Sequence, residues 1–183
     1  MTMQKGKDAI DKLIEQKKKE GSDYFKLESG DSARIRFVTD IDDTIGQVNH
    51  FVEKTKVACR ADVGICPACE SADPEIRRSS VSVSYLVYDY EAKKVKVWNA
   101  NVPTHSKIVK KAEVFGTLTD RDYVVTGEEI KRGTFRWIDY DFTPTDKSEA
   151  TFTVDKPVDL EVLAKAGEQS EEQMIALIKG DAS

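Results

Sequence analysis

The chain is poor in the residues that most often carry chemistry. It has three cysteines, two histidines and two tryptophans among 183 residues. An odd cysteine count fits disulfide pairing badly. Cytosolic thiols are kept reduced, so a cluster of them points to metal before disulfide. Two histidines leave few acid–base options. No His-Glu-x-x-His, phosphate-cradling glycine loop or nucleophile elbow occurs, so no enzyme is expected. No run of about 18 apolar residues exists, and no membrane partner is expected. Residues 1–20 alternate charged and apolar side chains, unlike a signal peptide, so the expected location is cytoplasmic.

What is present suits one domain with short extensions: 39% hydrophobic and 33% charged residues, with a net charge of −5. The acidity is uneven. Residues 141–183 carry ten acidic and four basic side chains, which leaves 23 acidic and 24 basic in residues 1–140. A near-neutral body can still present a basic groove, because binding follows local charge.

Residues 7–20 read as a helix, with Ala9, Ile10, Leu13 and Ile14 at helical spacing and Gly21 as its stop. Residues 24–27 and 33–38 read as strands around a turn at Gly30. In the second of them Ile35 and Phe37 face one way, Arg34 and Arg36 the other. Residues 48–57 suggest a strand or hairpin arm. Residues 80–90 alternate strongly, with Val81, Val83, Tyr85 and Val87 on one side. Residues 94–99 read as the partner strand, with Val95 and Val97 inward and Lys94, Lys96 and Trp98 on the other side. Thr104 is expected to cap a helix over 105–115. Strands are expected over 123–126 and 134–142, separated by Gly127 and Gly133. A further strand at 149–156 and short helices at 159–165 and 171–178 complete the pattern. The expected class is mainly β (α+β), a small partly open barrel.

The cysteines and one histidine form the sharpest motif. His50, Cys59, Cys66 and Cys69 combine a Cys-Pro-Ala-Cys turn with two donors from the preceding strand region. Three sulfurs and an imidazole select zinc, and four protein ligands mark a structural site. His105 is the alternative fourth ligand, and buried thiols beside a surface histidine are the bland alternative. A zinc deaminase would need His-x-Glu, whereas Phe51 and Val52 follow His50. An iron–sulfur centre usually takes four cysteines.

Basic and aromatic residues interleave as they do in single-strand binders. Arg34 and Arg36 share a strand face. Arg77 and Arg78 precede the strand bearing Tyr88. Lys94 and Lys96 precede Trp98. Lys107 and Lys111 lie on the helix, and Arg136 and Tyr140 share a side of the late strand.

The order of these motifs resembles one family, the zinc-containing single-stranded DNA-binding proteins of T-even-type bacteriophages. The resemblance covers 24–142. It rests on Tyr-Phe-Lys-Leu followed by Ala-Arg-Ile-Arg-Phe, the His50 to Cys69 motif, Arg77 and Arg78 before a long strand, and Trp98 before a lysine-bearing helix. It implies a five-stranded OB-fold core over 22–143 with an inserted zinc subdomain at about 48–78. An N-terminal helical extension would occupy 1–21 and an acidic C-terminal region 144–183. It implies sequence-nonspecific coating of single-stranded DNA in phage replication, recombination and repair, in the host cytoplasm. By position, His50, Cys59, Cys66 and Cys69 inherit one structural zinc, and Arg77, Arg78, Tyr88, Trp98 and Lys107 the groove. The acidic C-terminal region would recruit replication or recombination proteins. The alternative function is a zinc-ribbon adaptor of a replication or transcription complex that does not touch DNA.

Overall fold

The computed structural model describes residues 22–154, 158–166 and 168–180. The helix expected over 7–20 lies outside them. Among the described residues the elements are β1 (Ser32–Phe37), β2 (Ile45–Val52), β3 (Thr55–Ala58), α1 (Pro74–Arg77), β4 (Ser79–Asp89), β5 (Lys94–Asn101), α2 (Val102–Phe115), β6 (Arg121–Arg132), β7 (Phe135–Lys147), α3 (Leu160–Ala166) and α4 (Glu171–Lys179). The fold is mainly β with a few helices, as expected, but its sheet has seven strands rather than five. No described helix is long and apolar enough to cross a membrane.

The chain divides into two compact units. The first contains the described residues up to Val38, with Leu86–Trp98 and Thr119–Thr153. The second contains Thr39–Tyr85, Asn99–Leu118 and the described residues from Val154 onward.

In the first unit β1 pairs antiparallel with the end of β4 on one edge and with β6 on the other. Ile35 lies opposite both Asp89 and Tyr123. β6 and β7 form a long antiparallel hairpin. Ile35, Phe37, Val87, Tyr123, Val125 and Phe142 are buried, as a period of two requires for a face packed on a core. Trp98 sits among them, 5.1 Å edge-on from Phe25, 5.3 Å from Phe142 and 6.1 Å from Phe37. Gly127 does not break β6. A Cβ there would lie 3.0 Å from the Glu28 carbonyl oxygen, and the glycine lets the turn at Gly30 bond directly to the strand. The segment at 24–27 is not a strand. It makes one isolated parallel bridge, Tyr24 to Val97. β7 continues past the expected boundary at 143 to Lys147, and the described part of 149–156 is not a strand.

In the second unit β2 pairs antiparallel with β3 and with the first part of β4. Asn101, not Thr104, caps α2: its Oδ1 accepts from the Thr104 N–H at 2.9 Å, and Pro103 occupies the first turn. Thr104 is buried inside that turn. α4 has a full capping box, in which Ser170 and Gln173 satisfy each other's backbone N–H groups.

Val52 and Thr55 are paired, so only Glu53 and Lys54 connect β2 to β3, and both have positive φ (48° and 67°). Such a loop favours Asn-Gly, because each larger side chain there costs roughly 1 kcal/mol. The double substitution Glu53→Asn with Lys54→Gly is expected to stabilise the protein by about 1 kcal/mol, seen as a Tm raised by roughly 2–4 °C in calorimetry.

Candidate metal centre and basic–aromatic face

His50, Cys59, Cys66 and Cys69 place one donor atom each within 4.8 Å of one another. The hairpin supplies His50 from β2, and Cys59 follows β3 directly, its N–H bonded to the Val48 carbonyl at 2.8 Å. The Cys66–Cys69 turn brings the other two sulfurs underneath. His50 is fully buried, Cys66 nearly so, and Cys69 faces outward.

The distances suit a shared ion. Cys59 Sγ lies 3.8 Å from Cys66 Sγ and 3.6 Å from Cys69 Sγ, and His50 Nε2 lies 3.8 and 3.4 Å from the same two sulfurs. A tetrahedron with bonds of about 2.3 Å to sulfur and 2.0 Å to nitrogen has edges of roughly 3.5–3.8 Å. A disulfide needs about 2.05 Å between sulfurs and is excluded. His50 Nδ1 is 3.0 Å from the Ile76 carbonyl oxygen. A proton on Nδ1 donates there, which leaves the Nε2 lone pair aimed at the cysteines. Burial, reinforced by its two sulfur neighbours, pushes the Cys69 thiol up to about 12. Burial opposes ionisation of Cys66 as well, but hydrogen bonds from the backbone at Arg60 and Cys69 outweigh it and hold that thiol below its ordinary value. The four residues could therefore hold one metal ion, and each thiol would exchange its proton for the cation.

His105, the alternative ligand, is engaged elsewhere: its Nδ1 is 2.6 Å from the Tyr85 hydroxyl. The centre rests on a small core of Val52, Val57, Cys66, Ala68 and Met174, against which Leu177 and Ile178 also pack. Met174 Sδ is 3.9 Å from Cys66 Sγ, and Arg60 donates to the Gln169 carbonyl at 2.7 Å. So α4 braces the Cys66–Cys69 segment from the region 144–183. The sequence reading missed this role of Met174, although the apolar spacing within 171–178 was its signal.

The expected groove residues separate into two groups. Three are corrected by burial. Trp98 is 1% exposed and forms the core of the first unit. Arg36 is 2% exposed, and its Nε donates to Asp122 at 2.6 Å. Lys96 is 5% exposed and donates to Asp89 at 2.8 Å. Both sides of these strands are covered, which an alternation of polar and apolar residues does not reveal. Tyr140 is also turned inward, 5.1 Å edge-on from Trp98. The others remain accessible. Arg77, Arg78 and Arg136 are exposed, Lys107 and Lys111 half-buried, and Lys94 is half-buried and paired to Asp23 at 3.2 Å.

Arg34, Tyr88 and Tyr90 do meet on one face of the first unit. The Arg34 guanidinium carbon lies 4.8 Å from the centre of the Tyr90 ring, and the two tyrosines meet edge to face at 5.1 Å. Phe152, missed in the sequence, stacks on Tyr88 at 3.8 Å with ring planes 2° apart. Beneath lies Asp122, 1% exposed, which accepts from Arg34, from Arg36 and from the Tyr90 hydroxyl at 2.9 Å. Burial alone would raise this carboxyl, but those hydrogen bonds outweigh it and hold it below the usual range. Two guanidiniums thus share one carboxylate, and of the two only Arg34 is exposed.

A groove of about 430 Å³ also runs along the second unit, lined by Val48, Cys59, Asp62, Glu161, Lys165 and Glu168 among others. Three carboxylates against one lysine make it unfit for phosphate.

The protein is expected to carry one metal per chain, and a chelator or Cys66→Ser should lower Tm. Met174→Ala should cost about 2–5 kcal/mol in denaturant unfolding. An unchanged Tm after metal removal would refute the structural role. Asp122→Asn should cost about 3–5 kcal/mol near pH 7, because it leaves Arg36 buried and unpaired. The Asp122 carboxyl is lowered in the fold, so its contribution is present above the unfolded value of about 4 and lost as pH falls further. The gap between the two proteins should therefore narrow in unfolding curves below about pH 4. Comparison of the chain with protein-family models, with curated proteins and with solved structures gave no match.

Proposed function

We propose that this chain is a single-stranded DNA-binding protein with one structural zinc and no catalytic activity. The observation that carries the reading is the face built by Arg34, Tyr88 and Tyr90, with Phe152 in a parallel ring stack on Tyr88. A ring that accommodates a coplanar aromatic at 3.8 Å has the geometry that a nucleobase needs. The adjoining guanidinium supplies charge for the phosphates, and neither feature reads base identity, which suits sequence-nonspecific coating.

Other features agree. The first unit draws on five strands, β1, β4, β5, β6 and β7, the number used by an OB-type module. Three sulfurs and one imidazole favour zinc among common metals. Four protein ligands complete its tetrahedron and leave no position for a reactive water. The motif order, which resembles that of the phage proteins, supports a role in phage replication, recombination and repair. Partner proteins from those processes would meet the acidic region through exposed Glu161 of α3, Glu168 between the helices, and Glu171 and Glu172 of α4.

The test is fluorescence anisotropy with labelled oligo-dT at low and high salt, with a duplex control. Single-strand binding that weakens steeply with salt is expected. Tyr88→Ala should lose about 1–3 kcal/mol, roughly a 5- to 150-fold drop in affinity. Phe152→Ala should tighten binding, because no internal stack must then be broken. Absence of binding at low salt would refute the function and favour the zinc-ribbon adaptor. Weaker binding by Phe152→Ala would instead make Phe152 a base contact.

A further inference from the structure

One face of the second unit's sheet carries six side chains with hydrogen-bond donors among nine positions. The strand register places Ile45, Gln47, Asn49 and Phe51 of β2 on this side, with Lys56 and Ala58 of β3 and Ser80, Ser82 and Ser84 of β4. None of these nine positions is acidic, in a chain with 33 acidic residues. Ile45, Gln47 and Ala58 border the groove that carries Asp62, Glu161 and Glu168, while the Lys56 ammonium reaches across the sheet to Ser82 Oγ at 2.9 Å. Asn49, 2% exposed, donates its amide N–H groups to Ser82 Oγ at 3.1 Å and to the Gln47 carbonyl at 2.9 Å.

Ser82 is thus in an unusual position. The residue is 8% exposed, and its hydroxyl oxygen already accepts from both Asn49 and Lys56. Among the described residues nothing accepts its own proton. An ammonium with donors to spare and a buried hydroxyl with an unplaced proton converge on one spot, and both are completed by an acceptor carrying negative charge. The Lys56 side chain is exposed as a whole, but its ammonium lies over Asn49 and Ser82, and that burial lowers it from its ordinary value. Directly opposite Lys56 in the register stands Phe51, an aromatic ring left 53% exposed. An anion site next to an open ring matches a ligand that joins a phosphate to a planar base.

We propose that Lys56, Ser82 and Asn49 form a phosphate-binding site for single-stranded DNA, with Phe51 as the stacking ring for the attached base. This site rests on the single-strand reading above and adds a contact to it. Lys56 supplies the charge, Ser82 donates its proton to a phosphate oxygen, and Asn49 holds the serine in place. None of these residues stands out in the sequence. Arg77 and Arg78, exposed just before β4, lie a few residues from Ser80 and add positive charge near this strand end.

The experiment compares wild type, Lys56→Gln and Phe51→Ala by anisotropy, over a series of salt concentrations. The probes are labelled oligo-dT and an abasic deoxyribose-phosphate strand of equal length. Lys56→Gln should weaken both probes alike and reduce the slope of log K against log salt by about 1, the signature of one lost phosphate contact. Phe51→Ala should weaken oligo-dT by roughly 5-fold or more and leave the abasic strand unchanged. Both side chains are exposed, and equal Tm values check that the variants fold. If wild type binds oligo-dT while the Lys56→Gln slope and the Phe51→Ala affinity stay at wild-type values, the site is overturned and the single-strand reading survives. If wild type binds neither probe, both fail.

Discussion

The second unit depends on four donor atoms that converge within 4.8 Å. The segment from Arg60 to Ser71 contains turns and no strand or helix of its own. Its apolar contribution to the core beneath it is small, with Cys66 and Ala68 the buried members. Such a segment has little apolar surface to offset the entropy of ordering it, a deficit that cross-linking through a metal would reduce. The hairpin of β2 and β3 presents His50, the Ile76 carbonyl orients the imidazole, and α4 closes the far side with Met174. Each of these elements is placed by what the cluster needs.

The first unit solves a different problem. Its core is aromatic, with Trp98 surrounded by Phe25, Phe37, Tyr140 and Phe142. On the opposite face of β1 the two arginines would be costly to cover without a counter-charge, and Asp122 supplies it from β6. The buried member of that triad, Arg36, serves the fold. The exposed member, Arg34, lies over Tyr90 and keeps its charge at the surface. One carboxylate thus separates a structural arginine from one available to a ligand.

The cluster that could hold a metal ion was legible in the sequence because its chemistry is concentrated: all three cysteines fall within eleven residues. The strands at 33–38, 80–90 and 94–99 and the helices near the end were legible through period. The stacking surface was legible only in part. Arg34 is exposed and Tyr88 half-buried under Phe152, whereas Trp98, Lys96 and Arg36 were assigned outward because alternation distinguishes two faces without saying whether both are covered. The donor face around Lys56 left no trace, since serine, asparagine and a single lysine are ordinary residues for an exposed strand.

By itself, then, the sequence determined the donor set His50, Cys59, Cys66 and Cys69, the mainly β character and the uneven charge. These are properties of composition and local order, which need no knowledge of neighbours distant in the chain. Only the tertiary structure decided that Phe152 lies on Tyr88, that α4 braces the metal-binding segment, and that Asp122 is shared by two arginines. Those partners are separated by 64, 108 and 86 or more positions along the chain. Their meeting depends on strand register and on which faces become covered, and pairwise contacts of that range are set by the fold rather than by any local pattern.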